Sequence, residues 1–205
     1  AEALQLSALP PMLQIRDCIL RMLAGDRQRE GMQALVGKLS KADSVMGVAK
    51  LAEDEVVQVL LGEQCTLFFI DQAQEEIWSP PTESLPTGIC IGSRQGLVGH
   101  VAESALASEK KETFVHTCND PPSSPYWKGD VKSGFTTRNV MTAPVWSGGK
   151  DKDRKLLGLI QVLNKRSCWA EDMGEVPSDY GETDGWTVAD ERLLVVLAQS
   201  VGDHL

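Results

Sequence analysis

Long apolar runs are missing from this chain. No stretch comes near the ~20 consecutive apolar residues that a bilayer-spanning helix needs. The first residues, Ala1-Glu2-Ala3-Leu4, show no basic region leading into an apolar core, so no signal peptide is expected there. Basic residues are outnumbered: 20 Lys and Arg against 29 Asp and Glu leave a net charge of −9. Such a surface repels phosphate backbones and anionic lipid, so neither a nucleic acid nor a membrane is expected as a partner. Cysteines are few and odd in number (Cys18, Cys65, Cys90, Cys118, Cys168), and no two are spaced C-x-x-C. A disulfide framework is therefore not expected, and a reduced, cytoplasmic setting is. Cys65 and Cys90 lie in apolar, strand-like runs and should pack as small hydrophobes. Histidine is limited to His100, His116 and His204. His116 and Cys118 would begin a metal site, but no second His/Cys pair completes it, so no metal is expected. His100 and His204 read as surface or capping residues.

Catalytic signatures are lacking as well. There is no G-x-S-x-G elbow, no P-loop, no H-E-x-x-H and no pair of metal-binding His-Asp motifs. Asp190 and Glu191 are adjacent carboxylates, but a place at a helix start explains them as a cap and an ion-pair partner. No enzyme activity is expected.

What the chain does have is core material, 42% hydrophobic residues over 205 positions, enough for one domain with an extra segment. Pro10-Pro11 opens a helix to about Ala24, with Met12, Ile15, Ile19 and Met22-Leu23 at helical spacing. Met32, Leu35, Val36 and Leu39 form a second amphipathic stretch interrupted by Gly31 and Gly37. Val45 to Leu61 reads as a third helix stopped by Gly62. Strands are predicted at Cys65–Asp71, Glu75–Trp78, Ile89–Ile91, Thr113–Val115, Asn139–Trp146 and Leu156–Leu163. A short helix enters through glycine at Gln95–Glu103, and an apolar helix closes the chain from Arg192 to Leu205. This order predicts an α+β layer fold, one antiparallel sheet covered by helices. Domain limits are expected at 1–37 for an N-terminal helical extension and 38–205 for the sheet domain.

Near the end stands a split signature, Asn164-Lys165 followed by Trp186-Thr187-Val188-Ala189-Asp190-Glu191. It resembles the N-K-x(n)-F-x3-D-E motif of GAF domains of the cyclic-nucleotide phosphodiesterase and adenylyl cyclase type, with Trp186 in place of Phe. Ile89 to Ala102 is similar to that family's strand-to-helix segment, and Gly134 to Asn139 to its T-G-[FY]-x-T-[RK]-N segment. The resemblance implies a GAF fold with a six-stranded antiparallel sheet. It also implies an ion pair between Lys165 and Asp190 that pins the last helix to the sheet. A ligand site is implied at Thr66, Leu97, Val98, Asp130, Ser133 and Thr137, under a lid from Asn119 to Thr137.

The same segments have readable chemistry. The Gly96-to-Ala102 turn leaves backbone N–H groups at a helix start, where a cyclic phosphate is favoured. Ser133 and Thr137, four apart, would share a face on a helical turn. The function expected from the resemblance is a regulatory domain that binds cAMP or cGMP and signals to an attached output domain as a homodimer. The alternative is a ligand-free GAF module for dimerisation or protein interaction. Two departures accompany it. The proline-rich Ser79–Gly88 loop leaves only Glu83 and Ser84 where nucleotide-binding relatives place a recognition element. Arg166 to Gly185 is a long insertion that reads as a solvated loop.

Overall fold

A hydroxyl ahead of an apolar run is enough to start the principal helix. Ser44 accepts from the Gly47 N–H at 3.1 Å, satisfying one of the amides that a helix start leaves unpaired. The computed structural model of the protein describes residues 25–26, 28–81, 87–129, 135–148, 153–166 and 185–205. Its elements run in the order α1 (28–39), α2 (Val45–Leu60), β1 (Gly62–Asp71), β2 (Glu76–Ser79), β3 (Ile89–Gly92), α3 (Gly96–Ala107), β4 (His116–Cys118), a 3₁₀ turn at Pro121–Ser123, β5 (Val140–Trp146), β6 (Leu156–Lys165) and α4 (Val188–Gly202). The expected helix over Pro11–Ala24 lies outside the described residues.

The strands form one six-stranded antiparallel sheet in the order β3-β2-β1-β6-β5-β4. Its long central pair, β1 and β6, is in register from Gly62 opposite Lys165 to Phe69 opposite Gly158. The Asp71 carboxylate accepts from the Ala73 and Gln74 N–H groups at 2.9 and 3.0 Å, which builds the β1–β2 turn. β2 pairs with β1 only at Phe69–Asp71, so the Leu67 N–H turns instead to the Glu53 carboxylate of α2 at 2.9 Å.

Alternation along the strands divides the core. Cys65 and Leu67 of β1, Met141, Ala143 and Val145 of β5, and Ile160 and Val162 of β6 face the helices α1, α2 and α4. Phe68 of β1 and Leu159 of β6 face the other way, against Val98, Val101 and Ala102 of α3. A sheet covered on both faces explains why these strands read as unbroken apolar runs. α4 sits so close to β5 that a Cβ at Gly202 would lie 2.0 Å from the Trp146 carbonyl oxygen.

Several expectations change. The fourth strand forms at His116–Cys118 and not at Thr113–Val115, because pairing with Val140–Thr142 of β5 decides which residues join the sheet. Gly62 does not end α2. Leu61 takes the left-handed capping role at φ 56°, and Gly62 opens β1, where a Cβ would meet Val162 Cγ1 at 2.6 Å. α1 runs straight through Gly31 and Gly37, since Leu35 and Leu39 are fully packed in the main core. The expected boundary between residues 37 and 38 falls inside this helix. Cys65 is buried as expected, whereas Cys90 is exposed, because it alternates outward on the short strand β3.

Candidate functional site

The start of α3 is shaped by glycine. Gly96 has φ +68°, a conformation that costs other residues, and a Cβ there would meet nothing within 4 Å. Gln95, the residue ahead of it, makes no side-chain cap, and no acidic side chain stands in the first turn. The positive end of the helix is thus left for another partner.

That end opens on a cavity of about 390 Å³, within the usual range for small-molecule sites. Gln95 and, from α3, Gly96, Leu97 and Val98 form one wall, and Gln64, Thr66 and Phe68 of β1 with Gln161 and Leu163 of β6 form the floor. Ile89 and Ile91 of β3 close one side; Trp127, Lys128, Gly129, Phe135 and Thr137 close the other. Among these described lining residues there is one cation and no carboxylate, although the chain as a whole carries −9.

Thr66, Leu97, Val98 and Thr137, expected at the ligand site, are brought together here. Asp130 and Ser133, like Glu83 and Ser84, lie outside the described residues. The helical turn that was to align Ser133 with Thr137 is absent at Thr137: residues 135–139 belong to no helix or strand. Sequence reasoning missed Gln64, Gln161, Trp127 and Phe135. Gln161 is the one polar residue in the run Leu156–Leu163, and Gln64 is two positions from Thr66 and so on its face. Both carried a signal. The Gln161 amide donates to Thr142 Oγ1 at 3.1 Å, which holds it in place on β6.

Tyr126, within the segment expected as a lid, stacks on His100 of α3 with centroids 3.6 Å apart and rings 9° from parallel. His100 is therefore part of a ring contact and not an isolated surface residue. The edge of His116 meets His100 at 5.4 Å. Burial and then the neighbouring His100 hold the His116 imidazole below the ordinary histidine pKa. Among the described residues, no group of three or more His, Cys, Asp or Glu is placed to hold a metal. The buried Cys65 thiol has its pKa pushed well up by burial and by Glu53 and Asp54, which makes it a packing residue.

The split signature forms a clamp. Lys165 Nζ lies 2.5 Å from Asp190 Oδ1 and donates to the Leu60 carbonyl at 2.9 Å. Asp190 Oδ2 accepts from the Thr187 N–H (3.0 Å) and hydroxyl (2.8 Å), closing a capping box on α4. The buried Trp186 ring lies 5.3 Å from Lys165 Nζ, close enough for a cation–π contact. Glu191 accepts from the Thr117 hydroxyl of β4 at 2.6 Å, tying α4 to the sheet edge. Asn164 is fully buried, and its Nδ2 donates to Glu63, which also pairs with Arg138. Partial burial works against the Glu63 carboxylate, but the hydrogen bonds from Asn164 and Arg138, with the charges of Arg138 and Arg166, outweigh it and lower its pKa.

Comparison with solved structures identifies the architecture as the GAF fold. The GAF domain of a phosphoenolpyruvate-protein phosphotransferase from Coxiella burnetii is similar at TM-score 0.64 and 16% identity, over 87% of this chain and 92% of that one. The corresponding domain from Acinetobacter gives 0.62 and 14%, over 86% and 91%. Free methionine-R-sulfoxide reductase from Neisseria meningitidis, solved with its substrate, gives 0.59 and 13%, over 86% and 87%. No family model matches the sequence, and no curated protein does.

Proposed function

We propose that this chain is a regulatory, small-molecule-sensing GAF domain, that its ligand is a cyclic nucleotide (cAMP or cGMP), and that it has no catalytic role of its own. The cavity at the start of α3 carries this reading. Its uncapped helix end and Lys128 suit a phosphate, and Trp127 and Phe135 offer faces for a flat base. Gln64, Thr66, Gln95, Thr137 and Gln161 supply the few polar groups that fix orientation in an otherwise apolar site. α4, clamped to the sheet by Lys165, is the route to an attached output domain. Calorimetric titration with cAMP and cGMP tests the proposal. Binding of one of them in the nanomolar-to-micromolar range corresponds to about −12 to −8 kcal/mol. No heat from either nucleotide at millimolar concentration removes it.

The second reading, a ligand-free module for self-association, is favoured by a different observation. Val36, Val45 and Met46 near the α1–α2 junction, and Val188 and Val196 on α4, are exposed apolar side chains. In either reading the partner proposed for these helices is a second copy of the chain. The free thiols of Cys65, Cys90 and Cys118 accord with a cytoplasmic setting.

A further inference from the structure

We propose that Asn164 is a positioning residue for the cavity. Its amide holds the segment that carries Phe135 and Thr137 into the site, and its place beside Lys165 joins that wall to α4. The inference rests on the cavity being the ligand site.

Residues 135–139 belong to no helix or strand, so their backbone groups need partners from elsewhere. Asn164 supplies them. Its Oδ1 accepts from the Arg138 N–H at 2.7 Å and, more distantly, from the Asn139 N–H at 3.5 Å. Its Nδ2 donates to the Thr136 carbonyl at 2.9 Å and to Glu63 Oε2 at 2.8 Å. Thr137, a lining residue, is thereby gripped through both its chain neighbours. The grip is returned: the Asn164 N–H donates to the Asn139 carbonyl at 2.9 Å, and the Lys165 N–H to Asn139 Oδ1 at 2.8 Å.

Asn164 also has φ 54°, a left-handed conformation that asparagine tolerates better than most residues and that persists only where surroundings over-determine it. One residue later, Lys165 reaches Leu60 and Asp190. Two adjacent residues thus hold the cavity wall and the last helix. A wall displaced by ligand moves the backbone from which the α4 clamp projects.

Asn164→Gly keeps the left-handed backbone and deletes the amide. Asn164→Asp keeps the accepting oxygens, loses the donor and sets a second carboxylate beside Glu63. Lys165→Met is the control that releases α4 and the Leu60 carbonyl while keeping the Asn164 amide. Hydrogen exchange at the Arg138 amide is measured alongside melting temperature and titration with cAMP and cGMP. In the glycine variant, Arg138 exchange should rise about tenfold relative to amides in β1 and α4, the scale of one lost hydrogen bond. Affinity for the nucleotide that binds should fall by a similar factor. The lysine control should leave Arg138 protected. Unchanged Arg138 exchange, or exchange that rises only in step with every core amide, overturns the role. If the glycine variant does not fold, the Asp variant is read instead: Arg138 stays protected by the retained acceptor while loss of the donor to Thr136 lowers nucleotide affinity, and unchanged affinity overturns the role. If the unmodified protein binds neither nucleotide, the cyclic-nucleotide reading fails separately, and Arg138 exchange still decides whether Asn164 holds the wall.

Discussion

Replacing Lys165 with alanine should cost this domain more than any surface substitution. The Lys165 and Asp190 side chains are only 14% and 6% exposed, so the pair sits where water cannot easily replace a lost partner. Breaking such a pair from one side costs ~3–5 kcal/mol, chiefly because the remaining charge is stranded. Asp190 keeps both hydrogen bonds from Thr187, which places the loss at the lower end. The Leu60 carbonyl also loses its Lys165 donor, adding roughly 1 kcal/mol. About 4 kcal/mol results. A chain of this size loses about 2–4 °C of melting temperature per kcal/mol, so the drop should be ~8–16 °C. Differential scanning calorimetry of Lys165→Ala, Asp190→Asn and the double variant measures it. The double variant should be more stable than the sum of the single losses predicts, with a coupling of about 1–3 kcal/mol. A drop under ~2 °C, or strict additivity, would refute the claim that this pair holds α4 to the sheet.

The remaining predictions concern the cavity, the acid limb and association. If the cavity takes a cyclic nucleotide as proposed, Thr137→Ala should weaken its binding by roughly 1–2 kcal/mol, read by calorimetry; equal affinity would remove Thr137 from the site. The folded-state pKa of Glu63 is lowered, so its contribution is complete above the ordinary carboxylate pKa and is lost as pH falls through the folded value. Melting temperatures across acidic pH should therefore fall less steeply in Glu63→Gln than in the unmodified protein, and parallel curves would count against the Asn164–Arg138 network around it. Met46→Glu, at a 47% exposed position, should lower the mass found by light scattering from dimer to monomer at micromolar concentration without shifting the melting temperature. A monomeric mass for the unmodified chain would leave the dimer without support.

Periodicity told where helices and strands would form, because burial of one or both faces imposes 3.6- and 2-residue repeats on the apolar residues. It could not tell which residues of an extended stretch would pair. Thr113–Val115 and His116–Cys118 have similar propensities, and only registration against β5 chose the second. Glycine spacing misled at Gly31, Gly37 and Gly62: Gly31 packs against Val59 and Gly62 against Val162, and the burial of Leu35 and Leu39 carries α1 through Gly37 despite the local cost of glycine.

By itself the sequence determined the α+β layering and the order of the elements, which follow from local pattern. The clamp between Lys165 and Asp190 was implied by the resemblance of the split signature to the GAF motif, and the structure forms it. Thr66, Leu97, Val98 and Thr137 were legible one at a time, as chain neighbours of recognisable segments. Their meeting around one cavity with Gln64, Trp127, Phe135 and Gln161 was decided only by the tertiary structure. So was the stacking of Tyr126 on His100, and so was the hold of Asn164 on residues 136–139. The stacking and the Asn164 contacts join residues 25 or more positions apart, and no local propensity specifies them. The Asn164 contacts arise where the antiparallel sheet brings the start of β1 and the end of β6 beside the start of β5, and a buried amide satisfies backbone groups that no strand reaches.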